Sequence, residues 1–220
     1  MENEYVKNLE KVIKQMLHPL KNIPLNLVIE SISGNKIIPF NPIDKKDQIL
    51  LSDLINIANL AGSNVNKIGI LRSRPNEVGN DIEPFIKKAL LINGYNADTP
   101  ITKEGSKKAV GYPDIEFIDK FNRINYLECK TYNKENEFTT QRSFYLSPSE
   151  DFKVTTDAHH FILSFEIYVD GRIGNNNVYK CKEWKILSIE NLLVDVKYEF
   201  QSDNKRLYSK EMIIAQGKVE

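Results

Sequence analysis

Residues 111–133 read GYPDIEFIDKFNRINYLECKTYN. Two β-rich runs, DIEFID from Asp114 and INYLECKTY from Ile124, flank a polar stretch around Lys120–Asn122, which is the pattern of a hairpin. Side chains alternate between the two faces of a strand. Asp114, Glu116 and Ile118 therefore share one face of the first strand, and Tyr126, Glu128 and Lys130 share one face of the second. Leu127 and Cys129 point the other way, as a core face requires. With an odd number of residues in the turn, or with a bulge, Asp114 lies across from Glu128 or Lys130. The hairpin then gathers two carboxylates and one ammonium on one surface.

Two neighbouring carboxylates repel each other unless something cationic stands between them. Their oxygens are hard ligands suited to Mg²⁺, which is usually held by one or two carboxylates together with substrate phosphates. Such an ion neutralises charge developing at a phosphodiester and acidifies an attacking water. A lysine beside it can position that water and stabilise the transition state. Asp114, Glu128 and Lys130 thus suffice for metal-dependent phosphodiester hydrolysis.

Pro113-Asp114, followed after 13 intervening residues by Glu128-Cys129-Lys130, resembles the motif of the PD-(D/E)xK nuclease superfamily. The resemblance spans roughly residues 77–170, less than half the chain. It implies a mixed α/β fold of the restriction-endonuclease type, a central mixed sheet carrying a catalytic hairpin and flanked by helices. It implies metal ligation by Asp114 and Glu128, with the Cys129 carbonyl contributing, and a water-orienting role for Lys130. An acidic residue on the preceding helix often joins the site; Glu83 is the candidate and Glu77 the fallback. Within the superfamily the chain looks most like a type II restriction endonuclease. No GxxxxGK[ST] loop and no C-x-x-C pair occurs, so a helicase-type phosphate loop and a zinc module are excluded. Such enzymes act as homodimers on short palindromic sites in double-stranded DNA, because two-fold protein symmetry matches the symmetry of the site. They imply a cognate methyltransferase as a separate chain. Two other readings share these residues: a repair or junction-resolving nuclease, and a non-catalytic DNA-binding domain with a fortuitous acid pair.

Outward from the hairpin, residues 77–93 read as a helix, with Asp81 as N-cap, Pro84 in the first turn and Gly94 just past the end. Residues 47–62 carry Ile49, Leu50, Leu54, Ile57 and Leu60 at helical spacing. A polar loop follows, holding Arg72 and Arg74. Residues 2–17 read as an amphipathic helix ended by Pro19, and residues 25–40 as a hairpin turning at Ser33-Gly34-Asn35. Residues 95–111 read as a polar loop. HHFILSFEIYV, residues 159–169, is the strongest buried-strand candidate, with Asp170-Gly171 as a turn after it. Residues 178–215 alternate short β-like runs with turns. One nuclease domain over 1–220 is expected, with 1–76 and 171–220 elaborating the core for DNA recognition and dimerisation.

The 30 Lys+Arg balance 30 Asp+Glu, so any DNA-binding surface must concentrate its cations locally. Arg72, Arg74, Lys103, Lys107, Lys108, Lys134, Gln141 and Arg142 lie in expected loops around the hairpin and are the candidate DNA contacts. His159-His160 point to opposite faces of a strand and cannot chelate one metal together. With two cysteines, no apolar run of the roughly 20 residues a bilayer span needs and no signal peptide, a cytoplasmic protein away from the membrane is expected.

Overall fold

The structure, a computed structural model, describes residues 2–140, 142–199 and 201–216. Two compact units result: residues 24–192, and the chain ends 1–23 with 193–220. The helices are α1 (Glu2–Met16), α2 (Leu25–Ser33), α3 (Lys45–Ile68) and α4 (Val78–Ile92). The strands of the main sheet are β1 (Ile70–Arg72), β2 (Asn96–Asp98), β3 (Ile115–Ile118), β4 (Ile124–Tyr132), β5 (His159–Ile173) and β6 (Asn176–Ser188). They form one six-stranded sheet in the order β1-β6-β5-β4-β3-β2. Only β4 and β5 are parallel; the other pairs are antiparallel. This is the mixed sheet flanked by helices that the hairpin motif implied.

Helical spacing builds the core. Leu50, Leu54, Ile57, Ala61 and Val65 make one stripe of α3, and Ile82, Ile86, Ala89 and Leu90 one stripe of α4. Both pack on the sheet face formed by Ile115, Phe117, Leu127, Cys129, Phe161, Leu163 and Phe165. Asp44 caps α3, its carboxylate accepting from the N–H groups of Lys46 and Asp47. Gly69 ends it at φ 77°, where a Cβ would stand 2.6 Å from Val178 Cγ1; glycine is what lets β6 pass that close.

The β3–β4 turn is held by charge. Arg123 donates from Nε to Asp119 Oδ2 at 2.7 Å and from Nη1 to Asp47 Oδ1 at 2.6 Å, tying the turn to the start of α3. Asp119 Oδ1 also accepts from the N–H groups of Phe121 and Arg123, and Asn122 takes the left-handed conformation at φ 60°.

In the other unit α1 runs as expected, and Tyr5, Leu9, Val12 and Ile13 on it are exposed. The Val196 N–H donates to the Leu20 carbonyl at 2.9 Å, and a single helical turn forms at Asn204–Leu207. Among the described residues no helix is long and apolar enough to cross a membrane.

Several expectations are corrected. The hairpin over 25–40 is not formed: Leu25–Ser33 is helix α2, which buries Leu25 and Ile29. The run LNLVIESI satisfies helical spacing at Leu25, Val28, Ile29 and Ile32 as well as β propensity. Gly34, at φ 75°, is a helix C-cap rather than a hairpin turn. Helix α3 runs from Lys45 to Ile68 instead of 47–62, and strands β1 and β2 occupy stretches read as loops. Asp81 is not the N-cap of α4, and Pro84 lies inside the helix, because the chain enters through a 3₁₀ turn at Pro75–Glu77. Asp170-Gly171 is no turn: β5 continues through a bulge there and turns later, at Gly174 with φ 58°. The run after residue 176 is a 13-residue strand rather than short pieces.

Candidate active site

The register of the hairpin sets the site. Ile115 pairs with Leu127 and Glu116 with Tyr126, so the next position places Asp114 opposite Glu128. The five-residue turn from Asp119 to Arg123 has the odd count this alignment needs. Asp114 Oδ2 accepts from the Cys129 N–H at 2.8 Å, which fixes the carboxylate against β4. Two positions along the same strand face, Lys130 Nζ stands 2.8 Å from Glu128 Oε1.

Burial makes this cluster energetically tense. Glu128 is 5% exposed, and its Oε2 is buried without a hydrogen-bond partner. Loss of hydration, and then the charge of Asp114, push the Glu128 carboxyl up to about 7. Burial and the charge of Glu83 also raise the Asp114 carboxyl above its ordinary value, against the opposing Cys129 N–H. Glu83 on α4 therefore lies within electrostatic reach of Asp114. It is ion-paired to Lys87 at 2.6 Å, one turn on, and Lys87 also donates to Thr99 Oγ1 at 2.7 Å. Glu77 stays apart, receiving a long hydrogen bond from Ser73 at 3.4 Å.

One charged group that the sequence did not single out joins the cluster. Lys153 is 4% exposed, and its Nζ donates to the carbonyls of Gly111 at 2.6 Å and Pro113 at 3.0 Å. Burial lowers its pKa, against the pull of Asp114, Glu128 and Glu83. The available sequence signal was a lysine set between apolar Phe152 and Val154. Tyr112 and His160 stack beside the cluster, with Tyr112 Oη 2.5 Å from His160 Nδ1. His159 points elsewhere, its Nδ1 2.9 Å from the Ile38 carbonyl, so the two histidines share no site. Cys129 and Cys181 are free thiols buried in the core.

The candidate DNA contacts are dispersed. Arg72 makes a two-pronged pair with Asp81 at 2.6 and 2.7 Å. Lys107 pairs with Asp98 and Lys108 with Asp151. Lys103 lies over the Phe152 ring and Arg142 over the Tyr145 ring. Arg74 and Lys134 are exposed, one just before a 3₁₀ turn and the other opening one. Gln141 lies outside the described residues.

Among the described residues no group of three or more His, Cys, Asp or Glu side chains is placed to hold a metal alone. Asp114 and Glu128 nevertheless suit an ion completed by water and substrate oxygens. Both are hard oxygen donors, they oppose each other across the hairpin, and the buried Glu128 Oε2 lacks a partner.

The chain matches the Type II restriction enzyme MjaV family over residues 6–211. A relative described as "Type II restriction enzyme MjaV", from Methanocaldococcus jannaschii, is 37% identical over 228 aligned positions, covering 97% of this chain and 96% of its own. No solved structure matches the chain.

Proposed function

The chain belongs to the Type II restriction enzyme MjaV family, and on that footing we propose that it is a site-specific endonuclease whose chemistry is Mg²⁺-dependent and centred on Asp114, Glu128 and Lys130. The observation that carries the reading is the β3–β4 register, which sets Asp114 opposite Glu128 with Lys130 Nζ 2.8 Å from the latter. Asp114 and Glu128 would hold the metal, with the Cys129 carbonyl as a third oxygen. Bound there, Mg²⁺ would supply charge neutralisation at the scissile phosphate and an acidified water. Lys130 orients the water through its ammonium and meets the negative charge that grows on the phosphoryl oxygens. Glu83 shapes the field at Asp114 from α4.

Hydrolysis by water attack at phosphorus with departure of the 3′ oxygen leaves a 5′-phosphate and a 3′-hydroxyl. A homodimer places one such centre on each strand of a palindrome. Dimer contacts and further DNA recognition are assigned to residues 1–76 and 171–220, apart from α3 and β6, which complete the core. The cation group of Arg72, Arg74, Lys107, Lys108, Lys134, Gln141 and Arg142 is assigned to the DNA backbone and base edges, with Arg72, Lys107 and Lys108 exchanging their carboxylate partners for phosphate. A separate methyltransferase protects host DNA in the cytoplasm.

The test is incubation of the protein with unmethylated duplex DNA, with and without Mg²⁺, beside Lys130→Ala. Sharp bands are expected that need both Mg²⁺ and Lys130, with loss of the lysine lowering the rate by about a hundredfold or more. Cleavage by Lys130→Ala at the wild-type rate would refute the site assignment.

A further inference from the structure

Lys153 lies outside the nuclease motif, yet at 4% exposure it is a buried lysine. A lysine is almost never fully buried without a compensating role, because its charge loses hydration. The compensation here is local: two carbonyl oxygens, of Gly111 and Pro113, accept from Nζ at 2.6 and 3.0 Å. Pro113 immediately precedes Asp114, so these bonds clamp the backbone that delivers the first carboxylate.

The lysine itself stands on fixed backbone. The Phe152 carbonyl accepts from the Lys103 N–H at 2.9 Å, the Val154 carbonyl from Asn35 Nδ2 at 3.0 Å, and the Thr155 N–H donates to Tyr126 Oη at 3.0 Å. Three separate stretches of chain, two loops and β4, therefore pin residues 152–155. Asp114, Glu128 and Glu83 all lie close enough to feel the ammonium. Three lysines, Lys87, Lys130 and Lys153, thus stand against three carboxylates and offset their mutual repulsion.

We propose that Lys153 is a positioning residue of the nuclease centre: its ammonium clamps the Gly111–Pro113 backbone and so holds Asp114 in register with Glu128 for metal binding. The inference rests on the proposed nuclease reading of the same site.

The experiment compares wild type with Lys153→Met, which keeps the aliphatic stem, and Lys153→Arg, which keeps the charge and donors. Three quantities are measured well below the melting temperature: Ca²⁺ affinity by calorimetry, the Mg²⁺ concentration for half-maximal cleavage, and kcat and KM for DNA separately. Lys153→Met is expected to weaken Ca²⁺ binding and lower kcat by about 10- to 100-fold, with KM within about twofold, as for other residues that orient metal ligands. Lys153→Arg is expected to recover most of both losses. A folded Lys153→Met with wild-type Ca²⁺ affinity and kcat, and only a lower melting temperature, overturns the proposal. If Lys153→Met does not fold, wild type is read directly with ¹⁵N-labelled lysine, the signal being assigned by its loss in Lys153→Arg. The Lys153 ammonium should then be protected from solvent exchange and shift on Ca²⁺ addition; an exchanging, unresponsive signal also overturns the proposal. Failure of wild type itself to bind divalent ions or cut DNA would instead strike the nuclease reading.

Discussion

At the residue scale the site stores electrostatic cost. Glu128 titrates near 7 in the fold against its ordinary 4.5. A carboxyl whose pKa is raised by folding stabilises the fold below the unfolded value, and that contribution is lost as pH rises through the folded one. In EDTA, Glu128→Gln is therefore expected to be more stable than wild type at pH 8, by on the order of 2 kcal/mol, with the difference shrinking as pH falls toward 5. His160 runs the other way: burial holds it down to about 3, so its contribution is present above its ordinary 6.5 and is lost as pH falls from there through about 3. It does so in both proteins and cancels in their difference. Paired thermal melts across pH 5–8 check the prediction; a constant difference would place the titration elsewhere. The carboxylates were legible in the sequence because alternation and spacing fix faces. Lys153 was not, because nothing in its local sequence tells which backbone it reaches across the fold.

At the scale of elements the hairpin is rigid because its turn is bolted to α3. Asp47 and Asp119 are both buried, with side-chain exposures of 4% and 1%, and Arg123 is shared between them. Removing the arginine leaves two buried carboxylates without their cation, so Arg123→Met should cost about 3 kcal/mol or more in urea unfolding. Loss of stability of only a few tenths would mean that water already screens the pair. The hairpin, α3 and α4 were readable as elements because each carries a periodic pattern, and β5 because it opens on a continuous apolar run. Segment 25–33 was misread because its apolar residues fit both periods, and only packing of Leu25 and Ile29 decides between them. The three-residue strands β1 and β2 are too short to carry a period, and they exist because a neighbouring strand is there to pair with.

At the scale of the molecule, a zero net charge removes general attraction to DNA, so under the proposed function binding would fall to the local centre and to cations released from their acidic partners. Divalent ion binding should be visible as stability. Ca²⁺ at a hundredfold over its dissociation constant should add about 2.7 kcal/mol to the folded state. The accompanying rise in melting temperature should vanish in the Asp114→Asn, Glu128→Gln double variant. An equal rise in that variant would move the ion to another site. Membership of the restriction enzyme family was foreshadowed by the Pro113-Asp114 and Glu128-x-Lys130 spacing alone, whereas the flanks gave no signature of their own.

The parallel pairing of β4 with β5 has a consequence in time. Strands side by side in one direction need a long return path, here residues 133–158, and that path carries Lys153. A chain leaving the ribosome has made Asp114, Glu128 and Lys130 well before Lys153, and Lys153 before β5, the strand that flanks Glu128 on the side away from Asp114. Nonlocal pairing of this kind closes late in folding. The local hairpin can thus bring the two acids together early, but a chain ending before residue 153 carries the motif without Lys153 and without β5, the parallel partner of β4.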